Sequence, residues 1–486
     1  MATIYNPQCS SPVVANHVST FIFDDDAKDS EFNMGRTILA DEHLQSYIYE
    51  ILKSGKWTIG LIIGQLTSQK DYAVKLIRTP EPVEDECSED EESASPSKRR
   101  KRNKPESLAT VDEQWVAQHA KQVTRMLPGG IDVIGVFVVA PPKMTQPAQS
   151  KLRQVLFAIQ KVQKKTFPLE SEQSVTDRIL LQVCSETKKF TCRTVDVADP
   201  KSDMRPAEWK SQSSGETWIK LQSRVSVNIH INIPQKNQDQ MFFKRIQGAI
   251  LPYCHRIQDG IVMIDNKLRG GQELLVPSQS EGKKGKGKEK GTVMKEPMNV
   301  KFLTQLESSI STAPVIEDCS SRMIIKGCIS CRAFVNSRST VDEATRAIKA
   351  DFIRSLISRC ELLSEDIDVI EEETSIKELY DTPIRVFGCL PLSTIEFCDY
   401  VFQDEKIEEV IQRIKELLDV LVTENDLDLT SEKVATEEDW SNAQGVQAQI
   451  SASESTPSGQ VREIPIGAIL GAAVLILSVV LYFVTS

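Results

Sequence analysis

From Arg36 to Val422 the apolar positions recur with two periods, and each switch between them marks an element. His43–Leu52 has a short helical period. Trp57 to Leu66 is almost continuously apolar, the mark of a strand buried on both faces. Asp71–Thr79 alternates after a polar turn, so the two runs are expected to pair as a hairpin. Trp115, His119, Val123, Met126 and Leu127 share one face of a helix over Asp112–Leu127, which Pro128, Gly129 and Gly130 stop. A strand over Ile131–Ala140 follows at once and ends at Pro141. Leu152, Val155, Leu156, Ile159 and Val162 define a second amphipathic helix. Strands are expected at Arg178–Ser185 and Phe190–Asp196. A longer one follows, in which Val225, Val227, Ile229, Ile231 and Ile233 share a face.

After Pro297 the pattern resumes with a strand pair in Met323–Asn336 and a helix over Val341–Leu363. Its stripe is Val341, Ala344, Ile348, Phe352, Leu356 and Leu363. Strands at Ile384–Leu390 and Ile395–Phe402 precede a helix over Asp404–Val422, striped by Ile407, Val410, Ile411, Ile414, Leu417 and Leu421.

Breaks in this patterning divide the chain. Residues 1–33 lack a period and read as a disordered extension. An α/β domain covers 34–276, interrupted at 80–107 by a loop that runs from acidic to basic and has no core-forming residues. Within it, Lys98–Lys104 suits nuclear import, acidic lipid heads or a solvated loop tip. A Gly/Lys-rich linker at 277–297 leads to a smaller α+β domain at 298–422, then an acidic flexible tether at 423–463.

The last apolar run has a different character. Ile464, Pro465, Ile466, Gly467, Ala468, Ile469, Leu470, Gly471, Ala472, Ala473, Val474, Leu475, Ile476, Leu477, Ser478, Val479, Val480, Leu481, Tyr482, Phe483 and Val484 contain no charge. As a helix they would reach roughly 30 Å, the thickness of a bilayer's hydrocarbon core. Only Thr485 and Ser486 follow. The expectation is a single-pass, tail-anchored protein of the endoplasmic reticulum membrane with its N-terminal bulk facing the cytosol.

Composition narrows the function classes. A chain of 486 residues with 40% hydrophobic content can build real cores, and its net charge of −11 argues against general nucleic-acid binding. The 11 cysteines are scattered and suit a reducing compartment. Cys328 and Cys331 form a lone CxxC with no second pair to complete a zinc site; the simpler reading is two thiols in or beside a strand. No phosphate-binding, nucleophile-elbow, dinucleotide or HExxH motif is present.

The strands ending Leu61-Ile62-Ile63-Gly64 and opening Ile134-Gly135-Val136-Phe137 resemble the MPN/JAMM metalloprotease fold. Active members of that family carry a His-x-His-Pro zinc motif on the second strand. Here Val138 and Ala140 stand at the ligand positions, and neither can donate an electron pair to a metal. The resemblance implies a catalytically inactive MPN-like domain with no catalytic residue, no metal and no cofactor.

Further stretches resemble the odorant response abnormal protein 4 homologs. They are Met34-Gly-Arg-Thr37, Leu61-Ile-Ile-Gly-Gln65, Ser68-Gln-Lys-Asp-Tyr72, His119–Gly130, Thr187-Lys-Lys-Phe190, Cys192-Arg-Thr194, Asp199-Pro-Lys-Ser202 and Arg205-Pro-Ala-Glu-Trp-Lys210. Lys326-Gly327, Cys331-Arg-Ala333 and Cys398-Asp-Tyr400 add to them. The resemblance implies a non-enzymatic adaptor. It would support folding, export or localisation of G-protein-coupled receptors and tether the ubiquitin-fold-modifier-specific protease. The alternative is an active MPN-type isopeptidase or another membrane-bound hydrolase.

Overall fold

The computed structural model describes residues 35–68, 70–81, 105–169, 175–212, 218–234, 242–276, 296–303, 319–370 and 382–432. Its first half is a closed barrel. The elements run β1 (Thr37–Asp41), α1 (Glu42–Lys53), β2 (Thr58–Gln65), β3 (Asp71–Arg78), α2 (Glu113–Arg125), β4 (Asp132–Ala140), α3 (Pro142–Thr145), α4 (Gln149–Thr166), β5 (Asp177–Cys184), β6 (Phe190–Asp196) and β7 (Arg205–Gln212). Around the barrel the order is β1-β3-β2-β4-β5-β6-β7.

The continuous apolar runs follow from this closure. One face of β2 and β4 places Ile62 and Phe137 inside the barrel with Ile38, Leu76, Ile179 and Leu181. From α1, Leu44, Ile48 and Ile51, at i, i+4 and i+7, join the same cluster. The other face turns Leu61, Ile63, Val136 and Val138 onto Val116, Ala120 and Val123 of α2 and Leu152, Val155 and Leu156 of α4. The expected β2–β3 hairpin forms, with Leu61 opposite Ile77. β4 and β5 pair in parallel, so α3 and α4 make the crossover between them.

The second sheet has the order β11-β8-β10-β9. It is built from β8 (Trp218–Pro234), β9 (Ile261–Ile264), β10 (Met298–Leu303) and β11 (Cys319–Asn336), with α5 (Phe242–Asp259) between β8 and β9. α6 (Val341–Ile370) follows β11, and α5 and α6 cover the sheet through Ile246, Ile250, Ile348, Phe352 and Leu356. A third sheet, ordered β13-β12-β14, contains β12 (Ile384–Cys389), β13 (Glu396–Val401) and β14 (Leu427–Asp428), with α7 (Ile407–Leu418) beside it.

These findings correct the expected fold class. In place of an MPN-like α/β domain followed by a smaller α+β domain, the chain forms a closed seven-stranded barrel joined to two further sheets. β8 and β11 pair antiparallel from Trp218↔Asn336 to Pro234↔Cys319, so one sheet draws strands from both sides of the 277–297 segment. Met323–Asn336 belongs to one long strand, not a strand pair. The transmembrane and localisation expectations are corrected too. Among the described residues no helix is long and apolar enough to cross a membrane, which conflicts with a single-pass protein of the endoplasmic reticulum. The expected span Ile464–Val484 lies outside the described residues, as do residues 1–33 and the basic run Lys98–Lys104.

One strand edge welds the parts together. Along the side of β11 that faces away from β8, alternate N–H groups meet acceptors from four other places. Ser330 N donates to Glu432 Oε1 (2.7 Å), and Arg332 N to Asp351 Oδ2 (2.9 Å). Phe334 N donates to Gly129 O (2.8 Å), and Asn336 N to Gln65 Oε1 (3.0 Å). An uncapped edge would leave these buried donors unpaired. Capping them ties β2, the Pro128–Gly130 turn, α6 and the chain after β14 to a single strand.

Candidate binding cleft

α2 forms one wall of a concavity. Asp112 caps the helix by accepting from Gln114 N (2.9 Å), and Glu113 and Arg125 complement the dipole at its two ends. The helix ends at Met126, whose carbonyl accepts from Cys398 N of β13 (2.8 Å). His119, one face further back, holds α7. Its Nε2 lies 2.9 Å from Leu417 O, a pure acceptor, so Nε2 carries the proton, and Nδ1 accepts from the Thr79 hydroxyl at 3.2 Å. Burial pushes the His119 pKa down to about 4 and keeps the ring neutral.

The cleft opens where α2, α6, β13 and α7 meet. It encloses about 320 Å³, at the lower end of ligand-pocket sizes. Met126, Leu362, Phe402 and Leu417 supply apolar surface. Asp399, Asp404, Glu405, Glu409, Arg125 and Arg413 supply charge. Arg413 is caged: Nε donates to Asp399 Oδ2 (2.8 Å), Nη1 to Glu405 Oε1 (2.5 Å) and Nη2 to Tyr400 O (3.0 Å). Burial raises the Asp399 pKa, and Arg413 works against that rise. Arg125 lies 3.7 Å from Glu361 and 3.5 Å from Glu365 of α6. Asp404 and Glu409 sit exposed on the rim.

The positions singled out in the sequence lie elsewhere. Val138 and Ala140 are fully buried in β4, within the core that α2 and α4 cover. Val138 sits between Ile59 of β2 and Gln182 of β5 and has no exposed surface. Cys328 and Cys331 both lie on β11, and burial raises both thiol pKa values. Such thiols are poor nucleophiles and poor metal ligands. Among the described residues no group of three or more His, Cys, Asp or Glu could hold a metal ion.

Several of the resemblance-bearing motifs converge on the closing strands of the barrel. Glu208 N donates to Arg36 O, and Cys192 pairs with Ala207. Arg153 donates to the carbonyls of Pro200 and Ser202, which fixes the turn between β6 and β7. Arg36 holds the buried Asp71 through Nε (2.8 Å) and Nη2 (2.6 Å). Their geometry serves closure of the barrel. The cleft residues Asp404, Glu405, Glu409 and Arg413 were not singled out for chemistry. The one available signal was Cys398-Asp399-Tyr400, whose Asp399 completes the cage.

The comparisons with known proteins match this chain over most of its length. Residues 60–429 match the family described as Odorant response abnormal 4-like. The human Protein odr-4 homolog is 35% identical over 408 residues, covering 82% of this chain and 86% of that one. Odorant response abnormal protein 4 of Caenorhabditis elegans is 27% identical, covering 69% and 70%. The crystal structure of UfSP from C. elegans overlays with a TM-score of 0.40 and 10% identity, over 81% of this chain and 58% of that chain, a likeness too loose to argue from. The match along three quarters of its residues places this chain in the odorant response abnormal 4-like family.

Proposed function

We propose that the protein is a non-enzymatic adaptor that supports folding, export or localisation of G-protein-coupled receptors and binds the ubiquitin-fold-modifier-specific protease. Membership of a family named for a defect in odorant response carries this reading, since odorants act through receptors of that class. Two features of the chain support it. Val138 and Ala140, the positions that the sequence resemblance singled out, carry no metal-binding atom and are sealed in the core. The cleft presents charges and apolar surface side by side, the mixture that protein recognition uses.

The test is receptor delivery in cells lacking the protein. Surface or ciliary odorant-type receptor should fall and return on re-expression, and receptor and protease should co-purify with the chain. Unchanged receptor delivery together with no co-purifying receptor or protease would overturn the proposal.

A further inference from the structure

We propose that the cleft between α2, α6, β13 and α7 docks a short segment of a partner protein that carries a basic side chain next to an apolar one. The inference deepens the adaptor reading and rests on it for the existence of a partner. Three observations carry it.

The first is charge balance. Of the four lining carboxylates, Asp399 and Glu405 are spent on Arg413, and Arg125 lies against Glu361 and Glu365 of the neighbouring helix. Among the described residues no ion pair compensates the exposed rim carboxylates Asp404 and Glu409. The second is that the cleft already holds one guanidinium, that of Arg413, between two carboxylates and a carbonyl. A visiting arginine or lysine would meet the same kind of acceptors at the rim, where charge-assisted bonds are stronger than neutral ones. The third is the partly exposed apolar floor of Leu362, Phe402 and Leu417, which is continuous with the rim. Burying an apolar side chain there supplies affinity, while the rim charges select its neighbour and speed encounter.

The probe is a fluorescein-labelled hexapeptide alternating leucine and arginine, titrated against the whole protein by fluorescence polarisation. It should bind saturably, and the double variant Asp404→Lys with Glu409→Lys should weaken binding at least tenfold. Both side chains are exposed, so this variant should keep its fold, checked by an unchanged circular dichroism spectrum and Tm. Glu208→Lys, on the far barrel strand β7, should leave binding unchanged. Three results would overturn the proposal. One is equal binding by the double variant. Another is equal binding of a glycine–arginine peptide, which would mean charge alone. The third is tighter binding of a peptide spanning Lys98–Lys104, which would make the occupant the chain itself. No saturable binding of the peptide by the unaltered protein, with receptor delivery still dependent on that protein, would sink only the cleft. Intact peptide binding without any receptor effect would sink only the receptor role.

Discussion

Asp351 of α6 grips Arg385 of β12 through two parallel bonds, Nη1 to Oδ2 at 2.8 Å and Nη2 to Oδ1 at 2.9 Å, with both side chains wholly shielded from solvent. The same carboxylate accepts from Gly129 N and Arg332 N, so four donors from three elements converge on it. Glu432 does the same nearby, taking Ser330 N, Arg385 N and the guanidinium of Arg359. The junction between barrel and sheets is therefore held by buried carboxylates acting where a neighbouring strand would have been.

Removing one partner of this pair strands the other. Asp351→Ala should cost about 3–5 kcal/mol, because the buried Arg385 guanidinium and the Arg332 N–H lose their acceptor, while Gly129 N–H keeps only Arg332 O. Adding Arg385→Met to Asp351→Leu should cost less than the two single changes summed. Urea unfolding of the unaltered protein, Asp351→Ala, the two single changes Asp351→Leu and Arg385→Met, and their double variant measures both quantities, and strict additivity would refute the coupling.

His119 makes stability depend on acid. Its pKa is depressed from 6.5 to about 4, so the unfolded chain takes up the proton first as pH falls. The contribution is intact above pH 6.5, declines between 6.5 and 4, and levels off below, amounting to about 3 kcal/mol in all. The stability difference between the protein and His119→Gln should therefore shrink on going from pH 7 to pH 5. A difference that stays constant over that range would remove His119 from the account.

The Pro128–Gly130 turn tolerates no side chain at its centre. A Cβ on Gly129 would sit 2.0 Å from Ala347 O of α6, and Gly130 has φ of 79°. Gly129→Ala should lower stability by more than about 1 kcal/mol by prising α6 from the turn. Thermal unfolding reports it directly.

Placing histidines at Val138 and Ala140 should not create a metal site. Val138→His with Ala140→His places two polar rings in a core sealed by α2 and α4, at a desolvation cost with no compensating bond. The expected outcome is a lower Tm and zinc far below one equivalent by mass spectrometry of the purified protein. Stoichiometric zinc in this variant would refute the prediction.

Much of the local structure was legible beforehand because it follows from side-chain period. The run of Leu61, Ile62 and Ile63 declared a strand buried on both faces, and one face indeed fills the barrel while the other meets helices. The stripe from Val341 to Leu363 marked α6. β7 escaped notice because Arg205, Pro206, Glu208 and Lys210 are exposed and give no apolar alternation. β1 was missed because five residues are too few to show a period. The candidate cleft could not be read, since its walls come from residues 122–126, 362, 399–405 and 409–417, which only packing brings together.

By itself the sequence determined which faces seek burial, where most helices stop, and which family the motifs resemble. Those properties depend on neighbours three or four positions away, where geometry is set by the backbone alone. Tertiary structure decided that the barrel closes, that β8 and β11 pair across the 277–297 segment, and that Asp351 and Glu432 end up inside. These outcomes rest on long-range satisfaction of strand edges and buried charges, for which no local pattern exists.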